Sequence, residues 1–240
     1  FIDGDVLLRM NYFGLRQYRN YSKISIPVIE DHSHNIFDEW SQNSKADFCI
    51  ASLRKTLPLA GGGMIWSNSH NLSKLSTLIE ISHQNEQLAR IRWQAMEDKA
   101  HYLNINETEC NSSLKDSFRA KYIQTEEGFD HLPISRISIL DKLFLEKFDI
   151  NEWHNRKLQN WQLLIHTLSK ILITKDIRIF YPSSDKCIPF SLLLLFRNTQ
   201  QRDLFRLNLI KHFIYPAILW NLPENCSDSS KDISNRMLSI

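Results

Sequence analysis

The first 67 residues carry four apolar runs of strand length, VLLRM from Val6, IPVIE from Ile26, DFCIAS from Asp47 and GMIWS from Gly63. They are rich in Val, Ile and aromatics and are bounded by polar or glycine-bearing turns, so they read as buried strands. The pattern changes near residue 70. Leu72 to Leu103 contains neither Gly nor Pro, and Leu75, Leu78, Ile79, Leu88, Ile91 and Trp93 recur at helical spacing, which predicts one or two helices. A polar loop follows over 104–113, then a helix over 114–132 that Pro133 ends. Beyond it the pattern predicts helices over ISILDKLFL and RKLQNWQLLIHTLSKIL, strands over IRIFYP and IPFSLLLLF, and a helix from Arg202 to His212. The expected organisation is α/β: a strand-rich unit over 1–103 ending in a long helix, a helical and small α+β unit over 104–223, and a frayed polar tail over 224–240.

Composition excludes more than it nominates. The 29 basic and 27 acidic residues nearly cancel, unlike the balance of a dedicated nucleic-acid binder. The longest apolar stretch, Ile188 to Phe196, is interrupted at Ser191 and stopped by Arg197, short of the roughly 20 residues that cross a bilayer. Cys49, Cys110, Cys187 and Cys226 form no Cys-x-x-Cys pair, which argues against a zinc site or disulfide scaffold and fits a reducing cytoplasm. The chain opens at Phe1, without an initiator methionine or a signal-peptide layout, so the expectation is a sequence that begins mid-gene.

Chemistry-bearing residues gather at the strand ends. VLLRM runs into Asn11-Tyr12-Phe13-Gly14, IPVIE into Asp31-His32-Ser33-His34, and DFCIA into Ser52-Leu53-Arg54-Lys55. If these strands are parallel, all three groups share the carboxyl edge of one sheet, where open α/β sheets bind ligands. Ordinary roles compete at each position. Lys55 beside Arg54 suits a solvated surface pair, Asp31 suits a turn or cap, and His32 with His34 suits a metal site that would serve a hydrolase. Ser52-x-x-Lys55 also matches the penicillin-binding nucleophile motif, but the Ser-Asp-Asn and Lys-Thr-Gly partners are absent and Pro58 opposes the required helix. Gly61, Gly62 and Gly63 lack the following Lys-Ser/Thr of a P-loop and read as a turn into the next strand.

Taken together, VIEDHSH and ADFCIASLRKTLPLAGGGMIWS resemble the pyridoxal-phosphate enzymes of the aspartate-aminotransferase superfamily. The likeness is greatest to the DegT/DnrJ/EryC-like branch of sugar aminotransferases. It covers Val6 to Ser67, and IPFSLLLLF and IYPAILWNLP extend it more loosely as that family's small domain. The resemblance implies the C-terminal part of a large domain with a mainly parallel, cofactor-binding sheet, followed by a small α+β domain. It implies pyridoxal 5'-phosphate as cofactor, Lys55 as its Schiff-base lysine and proton shuttle, and Asp31 as partner of the pyridine nitrogen. His34 would contact the ring hydroxyl, Ser52 the phosphate, and Asn11 a further part of the cofactor; no metal is implied. The partners would be a small-molecule amino donor, a keto acceptor such as a keto sugar, and a second subunit in a homodimer, with no nucleic acid and no membrane. About thirty residues precede Asp31, too few for the family's phosphate loop and stacking aromatic, so the expectation is a fragment, inactive and aggregation-prone alone, or a degenerate, non-catalytic relative with an interaction or regulatory role.

Overall fold

The computed structural model describes residues 2, 4–105, 112–173, 176–182, 187–219 and 222–240. They divide into two compact units, one from Phe1–Met10 with Arg19–Asp149, the other from Asn11–Tyr18 with Ile150–Ile240. The division at 149/150 lies later than the change of pattern at 103/104, because the helices that follow residue 111 pack with the strand-rich part.

A four-stranded sheet organises the first unit, in the order β1 (Leu7–Met10), β2 (Val28–Asp31), β3 (Phe48–Ser52), β4 (Gly63–Trp66). All four expected strands form, but the expectation that all are buried holds only for β2 and β3: β1 and β4 are the edge strands and leave Leu8, Met64 and Ile65 exposed. β1, β2 and β3 run parallel and β4 antiparallel to β3, so the carboxyl ends of the first three lie along one edge. The register sets Asp31 opposite Met10 on one side and Ile50 on the other. Side chains alternate across a sheet: Val28, Glu30, Cys49 and Ala51 point to the buried face, whereas Ile29, Asp31, Ile50 and Ser52 point to a less covered one. Behind the buried face, Val28, Ala46 and Cys49 pack with Leu7, Tyr21, Ile24 and Trp66.

A short helix α1 (Glu39–Gln42) follows β2, and four more elements complete the unit: α2 (Ser73–Leu78), α3 (His83–Asn104), α4 (Ser112–His131) and α5 (Ile139–Lys147). Ser82 begins α3 by accepting the Asn85 amide, an N-cap that separates it from α2. α3 packs on α4 at Gly128, where a Cβ would stand 2.6 Å from Leu88 Cδ1, so a larger residue would have to push the Leu88 side chain aside. The polar loop expected over 104–113 lies largely outside the described residues.

In the second unit, β5 (Arg178–Ile179), β6 (Leu193–Leu195) and β7 (Met237–Ser239) form an antiparallel sheet with β6 central. Helices α6 (Ile150–Ile173), α7 (Thr199–Lys211) and α8 (Asp228–Arg236) accompany it. The core joins Ile177, Ile179, Leu192, Leu194, Phe196 and Leu238, with Trp161, Ile165 and Leu168 of α6 packed against them. This is the small α+β unit the sequence predicts. Its end corrects the expectation of a frayed tail: Ser227 caps α8, and β7 pairs with β6 and buries Leu238 completely. The run of Ser, Asp, Lys and Asn is a solvated short helix, and it hid the apolar Met237-Leu238 strand behind it. No described helix is long and apolar enough to cross a membrane.

Candidate functional site

At the carboxyl edge the chain turns sharply after β2. Asp31 Oδ1 accepts the Ser33 amide at 2.8 Å, and the His32 carbonyl accepts the Asn35 amide at 3.0 Å. Ser33 Oγ in turn accepts the Ser52 amide at 2.8 Å, which joins the ends of β2 and β3. Asp31 therefore makes the turn that its residue type favours, and does so with one carboxylate oxygen. Ser52 leads into a 3-10 turn, Leu53–Lys55, without using its hydroxyl as a cap. His34 is buried beyond the turn, and its imidazole is pushed down to about 4, first by burial and then by the charge of Lys55, with Asp31 opposing. Both Asp31 and Lys55 are thus within electrostatic reach of His34.

Lys55 is the exposed residue of an otherwise enclosed loop. Leu53, Thr56, Leu57, Leu59 and Ala60 are buried around it. The Leu53 carbonyl accepts the amides of Thr56 at 3.1 Å and Leu57 at 2.8 Å, and the Leu53 amide donates to the Gly62 carbonyl at 3.0 Å. Gly62 has φ +94°, a conformation that favours glycine, and a Cβ there would also press on the end of the Ile137 side chain at 2.8 Å. Two helices anchor the loop. On α4, Glu126 receives both Nη atoms of Arg54 at 2.7 and 3.0 Å; on α5, Asp141 Oδ1 receives the Ala60 amide at 2.9 Å and Trp93 Nε1 at 3.1 Å. Arg54 is accordingly not half of a solvated Arg-Lys pair. It is paired with Glu126 and only partly exposed, whereas Lys55 is exposed.

The opposite face of the sheet holds a buried polar cluster. Glu30, fully buried, accepts from the Tyr21 hydroxyl, from Trp40 Nε1 at 2.9 Å, from Ser44 Oγ at 2.6 Å and from His32 Nε2 at 3.0 Å. Burial pushes its carboxyl up, but the bonds from His32, Ser44 and Tyr21 outweigh this and hold it below the usual range. Glu30, His32 and Cys49 offer ligand atoms within 4.8 Å of one another. Both Glu30 oxygens are nevertheless engaged, and burial pushes the Cys49 thiol up, away from the thiolate a cation needs. His32 Nδ1 has no partner, which suits the tautomer that donates from Nε2 and leaves a bare lone pair. His32 sits with Glu30, against Trp40 at a ring separation of 4.9 Å, and does not join His34 among the described residues' potential metal clusters.

Of the residues nominated from sequence, Asp31, His34, Ser52 and Lys55 fall in the first unit, at one sheet edge. Asn11 groups with the second unit, where its Oδ1 accepts the Arg16 amide at 3.2 Å. Sequence reasoning passed over Ser33, Glu126 and Asp141. Ser33 carries a local signal, the Asp-x-Ser of a side-chain turn, and Asp141 the Ser-x-x-Asp of a helix capping box, whereas Glu126 lies within a helix and carries none.

No protein-family model matches the chain, and no curated protein sequence does. Solved structures do match. A DegT DnrJ EryC1 StrS aminotransferase from Brucella abortus superposes with TM-score 0.50 at 13% identity, over 97% of this chain and 58% of its own. NtdA from Bacillus subtilis, crystallised with bound cofactor PMP, superposes with TM-score 0.50 at 10% identity, over 98% of this chain and 51% of its own. The chain shares its fold with part of these two aminotransferase structures. The chain spans little more than half the length of either structure of that kind. At such identities the likeness is one of fold, so the chemistry of an aminotransferase has to be argued from the residues at the sheet edge.

Proposed function

We propose that the protein is a pyridoxal-phosphate-dependent aminotransferase in which Lys55 is the catalytic lysine. The observation that carries this reading is the meeting of Asp31, His34 and Lys55 at one sheet edge, where His34 senses the charges of both others. The donor set fits the cofactor: an exposed amine on a tethered loop, a carboxylate with one oxygen committed to its own turn, and an imidazole kept neutral at physiological pH. Pyridoxal phosphate, when bound, supplies an aldehyde carbon and an electron-accepting ring. Lys55 Nζ would hold that carbon and then take and return the proton of the amino donor's α-carbon. The Asp31 carboxylate would keep a proton on the ring nitrogen, and the Ser33 amide orients it for that task. His34 would hydrogen-bond the ring hydroxyl, and the Ser52 hydroxyl, unused as a cap, would bind a phosphate oxygen. The same reading carries a small-molecule amino donor, a keto acceptor and a cytoplasmic homodimer.

The test is chemical. The full-length protein is mixed with stoichiometric pyridoxal 5'-phosphate, reduced with borohydride and digested for peptide mapping. The label is expected on Lys55. A label spread over surface lysines, or concentrated on another one, overturns the assignment.

A further inference from the structure

We propose that Glu126 is a positioning residue for the Lys55 amine, acting through Arg54. The inference rests on the reading of Lys55 as the cofactor lysine, and it adds Glu126, which lies outside the sheet edge, and a role for Arg54. Arg54 and Lys55 are neighbours within one 3-10 turn. In such a turn successive side chains leave about 120° apart, so a bond that anchors the turn through Arg54 also sets the point from which the Lys55 side chain starts. Arg54 is fixed by a two-pronged bond to Glu126, at 2.7 Å from Nη1 to Oε1 and 3.0 Å from Nη2 to Oε2.

Glu126 is itself held. Its Oε1 also receives Arg92 Nη2 at 2.7 Å. Arg92 Nη1 is bonded to Thr125 Oγ1 at 2.9 Å and to the Tyr122 carbonyl at 3.3 Å, and the guanidinium lies 4.3 Å from the Tyr122 ring centroid. A continuous path therefore runs from α3 through Arg92, across α4 through Glu126, to the turn that bears the lysine. The Arg54 and Glu126 side chains are 32% and 45% exposed, so the pair contributes little to global stability. What it supplies is direction, because two parallel bonds admit one orientation of the guanidinium plane.

The experiment uses the full-length protein with Glu126→Gln, Arg54→Gln, Arg54→Lys and the double Arg54→Gln/Glu126→Gln. Stoichiometric pyridoxal 5'-phosphate is trapped with borohydride, and the label at Lys55 is divided by that at exposed Lys45 and Lys74. The ratio is expected to fall about tenfold in each single variant, since misplacing a reacting group by an ångström costs that much or more. Arg54→Lys should not restore it, one ammonium being unable to make both bonds, and the double variant should be no worse than either Gln variant. Hydrogen exchange should quicken in the loop from Leu53 to Gly62 while α3 and α4 stay protected.

An unchanged ratio in Glu126→Gln and Arg54→Gln, with wild type labelled selectively at Lys55, overturns the positioning role and leaves the functional reading standing. A wild type without selectivity for Lys55 sinks that reading and this inference with it. If Glu126→Gln also loosens α3 and α4, Arg54→Gln decides, because it leaves the Glu126–Arg92 bond in place.

Discussion

Ser33 Oγ accepts the Ser52 amide at 2.8 Å, so the ends of two adjacent parallel strands are joined by a side chain where the backbone ladder runs out. The same residue donates its own amide to Asp31. One small residue thus ties the carboxylate and the serine of the proposed cofactor site to each other. Ser33→Ala should keep the turn but leave the Ser52 amide without its acceptor, at a cost of about 1–2 kcal/mol. Urea unfolding monitored by Trp fluorescence measures it. A loss below experimental error would show that the strand ends hold together without this bond.

Asp31→Asn should separate turn from chemistry. The amide oxygen of Asn can still accept from Ser33, so stability is expected to stay within about 0.5 kcal/mol of wild type. A neutral amide cannot stabilise a ring proton, so transamination should drop by roughly a hundredfold or more. Near wild-type turnover in a folded Asp31→Asn protein would reduce Asp31 to a turn residue.

His34 should leave a signature in stability against pH. Its imidazole takes up a proton near 6.5 when unfolded and only near about 4 when folded. The neutral ring therefore contributes fully above about pH 6.5, less as the pH falls, and nothing below about 4, a change of up to about 3 kcal/mol. His154 is shifted in the same direction, first by burial and then by Lys157, so the informative quantity is the difference between wild type and His34→Gln. That difference should grow between pH 6.5 and 4, with the wild type losing more. Parallel curves would remove His34 from its buried place beside Lys55.

Gly62→Ala should damage the lysine loop specifically. The residue has positive φ and its new methyl would press on Ile137 Cδ1 at 2.8 Å, which together predict a loss of about 1–3 kcal/mol. Adding Ile137→Ala should recover the steric part and leave the backbone part. Thermal unfolding of the two variants distinguishes them, and an equally stable Gly62→Ala protein would show that the turn can be remade without glycine.

Much of this was legible in the sequence, for reasons that differ by element. Val6 to Trp66 announced its strands because short β-rich runs ended in turn residues, and the Gly- and Pro-free stretch from Leu72 to Leu103 announced helix there without showing that Ser82 starts α3. The placement of Asp31, His34, Ser52 and Lys55 at one sheet edge was legible because each stands at or just past a strand end. The anchors of the lysine loop were not. Glu126 looks like any acidic residue on a helix and Asp141 like the partner of a Ser138 cap, and only the packing of α3, α4 and α5 brings them to Arg54 and Ala60. The tail misled for the opposite reason: its composition describes the solvated helix α8 and says nothing of the strand that follows.

Adjacent residues Glu30 and Asp31 lie on opposite faces of β2, one sealed among hydroxyls and indoles, the other open at the edge. β2 is four residues long and has an aliphatic side chain toward each face, Val28 on one and Ile29 on the other, so greasiness alone distinguishes poorly between sliding the strand by one position and leaving it where it is. A slide would carry Asp31, one methylene shorter, into the pocket shaped for Glu30, out of reach of Tyr21, Trp40 and Ser44, and would thrust Glu30 toward the ligand side. The sealed carboxylate thereby acts as an alignment key: a misthreaded strand leaves several hydrogen-bond donors stranded in the interior, and proofreading of the sheet edge is done by a residue on the face away from the proposed cofactor site.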